Sequence, residues 1–363
     1  MTGLICCTMD CNLACEYCFE GNGKNRCYPN IKLINQKFED GIDYFDTYID
    51  EIYSINNSRT TKMIFHGGEP LLIKDYNLRK VMERQKEKQH NILWSLQTNG
   101  TLINEQYITL FKEFSVSVGV SIDGLKDQHN KYRVFKNGNP TFDIVFNNLK
   151  KMLESGIHCG ILATISNINI GNLIEFYELF ADKDVNFSFN ALYPNVNNNK
   201  AELTSGEYAK AICGLFDYWI SDENHNMSIR PFERIIQGFV KPEFGNPGCH
   251  WSKDCSKGFV AIDSEGKLYP CEHWVGNKEF CFGNIDDGLI EALKKNTGLC
   301  GRTDYLADSD CRDCKIFKYC YGGCPWNAYV SHGTVFSKDE DVCEARRIII
   351  DHIYNYVAEH LGK

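Results

Sequence analysis

Short apolar stretches alternate with amphipathic stretches through the first half of the chain. Six apolar stretches rich in Val, Ile and Phe are typical of buried strands, and they cover residues 4–8, 62–67, 92–99, 116–123, 159–166 and 185–193. Apolar residues recur at the helical period in residues 35–55, 76–88, 104–114, 141–156 and 171–183. Strands that alternate with helices form βαβ units and a parallel sheet. The pattern therefore predicts an α/β fold of six repeats, a partial barrel whose chemistry lies at the C-terminal strand ends.

The pattern changes in the second half. Residues 204–240 have a mostly helical pattern, whereas cysteines, glycines and short turns dominate from 248 to 343, with a predicted hairpin at 258–271. That region has few apolar runs, so we expect it to need bound metal in order to fold. An amphipathic helix is predicted at 344–361. The predicted domains are a partial barrel (1–203), a helical connector (204–247), a cysteine-rich domain (248–343) and a C-terminal helix (344–363).

Composition and charge indicate the cellular compartment and the classes of partner that the sequence favours. The chain has 363 residues and a formal net charge of −9, so nothing favours binding to nucleic acid or to an anionic membrane. No apolar run approaches the roughly 18–20 residues that span a bilayer. The start, "MTGLICCTMD", lacks the features of a secretory signal. We therefore expect a cytoplasmic protein that contacts neither nucleic acid nor membrane.

The chain has 18 cysteines, which is unusual for that compartment. Disulfides are rare in a reducing cytoplasm, so dense cysteines indicate metal or redox chemistry. Residues 10–21 read "DCNLACEYCFEG" and contain Cys11, Cys15 and Cys18. Three thiolates on one loop suit a 4Fe–4S cube, because three protein ligands leave one of the four irons open.

This C-x3-C-x2-C spacing, with Tyr17 before the last cysteine, resembles the signature of the radical SAM superfamily. The resemblance implies that S-adenosylmethionine (SAM) chelates the open iron, and that one electron from the cluster cleaves it to methionine and a 5′-deoxyadenosyl radical. The segment "GGEP", comprising Gly67, Gly68, Glu69 and Pro70, follows the second strand. It resembles the motif that holds the SAM amino group, since glycines permit close backbone approach and Glu69 adds a carboxylate.

Other polar residues follow the next strands. Ser121, and less directly Gln97 and Asn99, resemble contacts to the SAM ribose and carboxylate. Arg133 would pair with the SAM carboxylate as a fork, or else be a solvated loop residue. Tyr17 is expected beside the adenine, with packing in the core as the alternative.

The second half carries a longer cysteine string. Cys255, Gly266 and Cys271 follow the spacing C-x10-G-x4-C, and the string continues with Cys311, Cys314, Cys320, Cys324 and Cys343. It resembles the SPASM domain of radical SAM enzymes that modify peptides and proteins. With Cys249 there are eight thiols, enough for two auxiliary 4Fe–4S clusters and three clusters in all. By resemblance the first auxiliary cluster uses Cys249, Cys255, Cys271 and Cys324, and the second uses Cys311, Cys314, Cys320 and Cys343. Fully ligated clusters would transfer electrons, which favours a two-electron oxidation of the substrate.

Two substrate classes are open. The favoured one is a maturase that forms a thioether or carbon–carbon cross-link in a ribosomal peptide, because "YGGCPWNAY" (321–329) and "DVCEAR" (341–346) resemble that group. The alternative is an anaerobic sulfatase-maturating enzyme, which oxidises Cys or Ser to formylglycine and which the layout also resembles. That family has a proton-accepting Asp after the hairpin cysteine. Here Glu272 stands there, either as the proton acceptor or as a carboxylate without that role. A small-molecule SPASM oxidoreductase is a further alternative.

The partners follow from this resemblance. We expect a peptide or protein substrate and an electron donor such as flavodoxin or ferredoxin. Because the chain begins ten residues before the cysteine triad, we expect it to lack a leader-peptide-binding domain. A separate protein would then bind the leader, or the substrate would have none.

The cluster assignment has a direct test. Reconstituted protein should hold about 12 irons per chain, four for each cluster. Replacing Cys11, Cys15 and Cys18 together by Ala should remove about four irons and abolish SAM cleavage. Iron analysis and chromatography of 5′-deoxyadenosine measure both effects, and cleavage retained by the triple variant would contradict the assignment of the triad.

Overall fold

The computed structural model describes residues 1–18, 35, 44–183, 185–192, 203–223, 227–240, 249 and 253–361. Parts of the predicted helix at 35–55 and of the predicted connector at 204–247, and the last residue of the predicted strand at 185–193, lie outside these ranges. Within them, no helix is both long and apolar enough to cross a membrane.

The six predicted strands are confirmed to within two residues at each end. They are β1 (Thr2–Thr8), β2 (Thr61–Gly67), β3 (Ile92–Thr98), β4 (Ser117–Ser121), β5 (Cys159–Ile165) and β6 (Val185–Ala191). Most of their buried positions are apolar, and buried positions alternate with more exposed ones in β2, β3, β5 and β6.

Helices follow the strands, as the amphipathic pattern predicts. They are α1 (Tyr44–Ile55), α2 (Asp75–Glu87), α3 (Glu105–Glu113), α4 (Lys126–Tyr132), α5 (Phe142–Glu154) and α6 (Leu173–Glu178). One of these helices begins at a side-chain cap. At α3 the Asn104 side chain accepts a hydrogen bond from the Tyr107 amide at 3.1 Å. Only α4 was not predicted; it is a single short helix after the β4 loop.

The second half is built from shorter elements. They are α7 (Ser205–Ser221), β7 (Ser228–Ile229), α8 (Arg230–Val240), α9 (Cys255–Gly258), β8 (Phe259–Asp263), β9 (Lys267–Tyr269), β10 (Gly283–Asn284), α10 (Leu289–Lys294), α11 (Arg302–Asp308), α12 (Phe317–Cys320), α13 (Pro325–His332) and α14 (Glu340–Leu361). The helix α7 begins with a capping box between Thr204 and Glu207. The hairpin predicted at 258–271 is confirmed as the antiparallel pair β8–β9.

The chain divides into two compact units. The first comprises Met1–Ser121, Asn130–Gly160 and Ser256–Gly298, and the second comprises Ile122–His129, Ile161–Cys255 and Leu299–Lys363. In the first unit the strand order is β10-β9-β8-β1-β2-β3-β4. The strand β8 pairs in parallel with β1, from Thr2 opposite Phe259 to Cys6 opposite Asp263. The hairpin therefore extends the barrel sheet. The predicted domain boundaries stay a prediction.

A buried tyrosine joins three elements of the first unit. The hydroxyl of Tyr48, on α1, donates to the Val260 carbonyl of β8 at 2.6 Å and accepts from the Leu4 amide of β1 at 3.2 Å. The ring is fully buried. Because β1 leads directly into the cysteine triad, this contact helps to hold the strand that carries the candidate site.

The second unit contains the strand order β5-β6-β7, with β6 and β7 parallel. An aromatic core covers these strands, and its rings pack mostly edge to face, as between Phe216 and Phe232 at 5.3 Å. The C-terminal helix α14 packs on α7 and α8. It begins at Glu340, four residues earlier than predicted, so Cys343 lies in its first turn.

Candidate active site and cluster-binding cysteines

The first three predicted ligands lie on the loop that follows β1. Cys11, Cys15 and Cys18 are all half-buried. The Cys18 amide donates to the Cys15 carbonyl at 3.2 Å, and the Ala14 amide donates to the Val134 carbonyl at 2.9 Å. The loop is therefore held by one hydrogen bond within its own backbone and by another to the backbone of Val134.

The sulfur of Cys11 accepts two N–H hydrogen bonds. Its Sγ accepts from the Leu13 amide at 3.4 Å and from Asn99 Nδ2 at 3.7 Å. Burial, with the charges of Glu69 and Cys15, raises the pKa of Cys11 to about 11. A thiol with that pKa ionises at neutral pH only beside a cation, and N–H groups directed at sulfur are typical of iron–sulfur ligation. The residues present thus fit a cluster.

The two glycines of "GGEP" press the end of β2 against this loop. Gly67 has φ of 111°, and a Cβ there would lie 2.2 Å from the Thr8 carbonyl oxygen. A Cβ on Gly68 would lie 2.3 Å from the Asp10 carbonyl oxygen. Two hydrogen bonds use this close approach, from the Gly68 amide to Thr8 at 2.9 Å and from the Glu69 amide to Asp10 at 2.8 Å. The glycines are therefore needed to place the residues just before Cys11.

Glu69 is fully buried, with 0% of its surface exposed. Its Oε1 accepts from the Leu71 amide at 3.0 Å and from the Thr98 hydroxyl at 2.7 Å, and its Oε2 accepts from the Asn99 amide at 2.8 Å. The carboxylate thereby caps the short helix Pro70–Leu72 and binds the end of β3. Burial raises the pKa of Glu69 to about 7, although these hydrogen bonds and Arg133 favour the charged form. Its predicted contact with the SAM amino group stays a prediction.

The polar residues at the ends of β3 and β4 interact with each other. Gln97 Nε2 donates to the Ser121 hydroxyl at 3.2 Å. Asn99 Nδ2 also donates to Asn12 Oδ1 at 2.9 Å, which ties the cysteine loop to β3. The sequence reasoning did not identify Asn12 or Thr98, because isolated polar residues beside a motif give no signal of their own.

Tyr17 and Arg133 pack together. The Arg133 guanidinium lies 5.5 Å from the centroid of the Tyr17 ring, within cation–π range. The Tyr132 ring meets Tyr17 edge to face at 5.6 Å. Arg133 is thus held beside the triad and near Glu69, and Tyr17 is a buried ring whose place beside adenine stays a prediction.

Glu272 lies in a small polar cluster of the first unit. It begins the short helix Glu272–Trp274, and Cys271, Glu272 and His273 bring their ligand atoms within 4.8 Å of one another. Burial opposes ionisation of Glu272, but His273, with its Nδ1 at 3.4 Å, and His66 outweigh it and hold the pKa of Glu272 at about 2. Glu272 is therefore a carboxylate at neutral pH.

His66 is a further residue that the sequence reasoning missed. It is the penultimate residue of β2, directly before Gly67, and burial lowers its pKa. Its buried Nδ1 has no hydrogen-bond partner in the part of the chain that the structure describes. Its position beside "GGEP" at a strand end was the available signal.

The second unit gathers the four cysteines predicted for one auxiliary cluster. Burial raises the pKa of Cys311 to about 11, and Cys320, Cys314 and Cys343 lie near enough to raise it further. The Gly322 amide donates to the Cys320 sulfur. Sulfurs that repel one another as thiolates become a stable set when they share a metal cluster, so these residues fit the predicted group.

Two cysteines of the other predicted set, Cys255 and Cys324, interact within the second unit. Burial raises the pKa of Cys324 to about 12, with a contribution from the charge of Cys255, and the amides of Asn327 and Trp326 donate to its sulfur. Cys249 is exposed in the second unit, and Cys271 belongs to the first unit. The four-cysteine assignment stays a prediction.

The chain is similar in sequence to known proteins. The model of the Radical SAM superfamily matches residues 5–180. The serine-type anaerobic sulfatase-maturating enzyme of Bacteroides thetaiotaomicron is 27% identical, over 88% of this chain and 81% of that enzyme. The cysteine-type enzyme of Clostridium perfringens is 28% identical, over 86% of this chain and 85% of that enzyme.

Two solved structures share the fold. The structure described as native anSMEcpe with bound AdoMet superposes with a TM-score of 0.84 at 24% identity, over 100% of this chain and 99% of that one. Streptococcus suis SuiB bound to S-adenosylmethionine superposes with a TM-score of 0.66 at 17% identity, over 94% and 76%. At these identities the likeness concerns the fold.

The close approach at Gly68 makes a testable prediction. Gly68→Ala should displace the Asp10 carbonyl and with it the cysteine loop, because a Cβ at 2.3 Å from backbone cannot be accommodated. We expect the loss of about four irons per chain and of SAM cleavage. Gly171→Ala, where a Cβ meets nothing within 4 Å, is the matched control. Full iron content and cleavage in Gly68→Ala would contradict this role.

Proposed function

The chain belongs to the radical SAM superfamily through residues 5–180, and we propose that it oxidises a Cys or Ser side chain of a protein or peptide to formylglycine. The chain is a radical SAM oxidoreductase. The observation that supports this substrate class is the likeness, over more than four-fifths of their length, to anaerobic sulfatase-maturating enzymes of both the serine and cysteine types.

The cross-linking maturase that the sequence favoured stays a prediction. SuiB, whose structure with a precursor peptide is known, resembles this chain in fold at 17–18% identity. The sulfatase-maturating enzymes are similar in both sequence and fold, and this makes formylglycine formation the stronger proposal.

In this proposal the first unit binds and orients SAM. A 4Fe–4S cluster on Cys11, Cys15 and Cys18 would supply the electron that cleaves SAM and the open iron that chelates it. Leu13 and Asn99 direct N–H groups at the Cys11 sulfur. The segment Gly67–Pro70 holds the loop in place. Gln97 and Ser121 offer polar groups at the neighbouring strand ends, and Arg133 offers one directly after α4.

Glu272 is the proposed proton acceptor. Removal of two hydrogens from a Cys side chain gives a thioaldehyde, which water converts to the aldehyde with release of hydrogen sulfide; a Ser side chain gives the aldehyde directly. One of the hydrogens leaves as a proton, and Glu272 is proposed to accept it as a carboxylate. With a pKa of about 2 it is a weak base, so the proton would move on to a neighbouring imidazole. His66 and His273 hold Glu272 in its charged form and could pass the proton onward.

The cysteines after residue 248 would take the remaining electron. We propose two auxiliary 4Fe–4S clusters, one on Cys311, Cys314, Cys320 and Cys343, and one on Cys249, Cys255, Cys271 and Cys324. An electron donor of the flavodoxin or ferredoxin type and a separate leader-binding protein stay predictions.

The substrate proposal is tested with two peptides that carry a sulfatase-type modification site, one with Cys and one with Ser at the target position. Reduced, reconstituted protein and SAM should convert at least one peptide to an aldehyde that a hydrazide reagent traps, as detected by mass spectrometry. A peptide with Ala at the target position is the control. Loss of two hydrogens without hydrazide reactivity would instead indicate a cross-link and overturn the formylglycine proposal.

Glu272→Gln tests the proton acceptor in the same assay. Binding of SAM and formation of 5′-deoxyadenosine should persist, while product formation should fall by about 10²–10⁴-fold, the usual contribution of a positioned base. The exposed Glu279 lies seven positions further along the chain, and Glu279→Gln is the matched control. Product at the normal rate in Glu272→Gln would show that the carboxylate has no part in the proton transfer.

A further inference from the structure

Arg302 is a buried charged residue that the proposed function does not use. It is the first residue of α11 and is 6% exposed. Its Nε donates to the Val335 carbonyl at 2.6 Å, and its two terminal nitrogens donate to the carbonyls of Tyr321, Gly322 and Ser337 at 3.0–3.1 Å. Four of the five guanidinium N–H groups are thereby satisfied. Two of these carbonyls lie in the loop that joins Cys320 to Cys324.

Carbonyl groups satisfy the hydrogen bonds of Arg302 but do not neutralise its charge. In the part of the chain that the structure describes, its guanidinium forms no ion pair with a carboxylate. Burial lowers the pKa of Arg302, and the groups that oppose this are Cys324, Cys255, Asp339 and Cys311. A buried charge is costly without an anion nearby, so three of the four groups that can compensate Arg302 are predicted cluster ligands.

A second buried arginine shows the contrast. Arg346 is also buried, but its guanidinium pairs with Asp339 Oδ2 at 2.9 Å. That carboxylate also accepts from Asn327 at 3.0 Å. The charge of Arg346 is therefore paired directly with a carboxylate, whereas Arg302 has no carboxylate within ion-pair distance among the described residues and the groups that act on its charge are mostly cysteines.

We propose that Arg302 is a positioning residue that raises the reduction potentials of both auxiliary clusters. Arg302 binds the carbonyls of Tyr321 and Gly322, which lie between Cys320 of the second predicted set and Cys324 of the first, so a single guanidinium lies beside ligands of both clusters. Reduction adds an electron to a cluster, and a nearby positive charge in a medium of low dielectric constant stabilises the reduced form more than the oxidised one. Both clusters would thus accept the substrate electron more readily. This inference rests on the cluster ligation proposed above.

The test is a redox titration followed by electron paramagnetic resonance. It uses the full chain with Cys11, Cys15 and Cys18 replaced by Ala, so that only the auxiliary clusters contribute to the signal. In that background, Arg302→Met should lower both midpoint potentials at unchanged iron content. Arg302→Lys keeps the positive charge, so its midpoint potentials should stay close to those of the protein with Arg302. Arg347→Met removes the same charge from an exposed position near Cys343 and should shift the potentials less, because water screens it.

The possible results separate the inference from its premise. Unchanged potentials in Arg302→Met with full iron would overturn the inference, as would an equal shift in Arg302→Lys. If Arg302→Met loses iron, Arg302→Gln, which keeps N–H donors for the carbonyls, takes its place. Iron loss in both neutral variants would assign Arg302 to cluster assembly and also overturn the effect on potential. Absence of auxiliary iron from the background protein itself would instead contradict the proposed ligation.

Discussion

A fully buried carboxylate is the constraint on which the candidate active site depends. Glu69 can be buried because three donors, two amides and a hydroxyl, meet its two oxygens. Those donors come from the helix Pro70–Leu72 and from the end of β3. The carboxylate therefore fixes the ends of two strands relative to each other, while Gly67 and Gly68 bring the same segment against the residues before Cys11. The placement of the cysteine triad follows from these contacts.

Uncompensated charge organises the second unit in a similar way. Its clustered thiols are buried, and the same region contains Arg302 and Arg346. Without metal, burial raises the pKa of Cys311, Cys320, Cys324 and Cys343 and so favours their protonated forms. Cluster ligation would turn these groups into thiolates, and the buried arginines are placed where that negative charge would arise. The buried arginines would therefore compensate the negative charge that the cysteines acquire on ligating a cluster.

The fold was largely predictable because its strands follow a local rule. Runs of Val, Ile and Phe located β1 to β6, and the pattern of residues 258–271 located the β8–β9 hairpin. The pairing of β8 with β1 was not predictable, since parallel pairing between distant segments has no signature in either segment. His66 and Arg302 were missed because a single His or Arg carries no motif.

The sequence by itself determined the chemistry that the chain can carry. The spacing of Cys11, Cys15 and Cys18 is a property of one short loop, as is the order of residues in "GGEP", so the cluster and its cosubstrate could be inferred from local pattern. The tertiary structure alone decided which groups meet. It turned Glu69 into the link between two strand ends, placed Arg133 on Tyr17, and set Arg302 among thiols of both predicted clusters. Hydrogen bonds and charges act over a few ångströms in space. The number of residues between two groups in the sequence does not determine how far apart they lie in the folded protein.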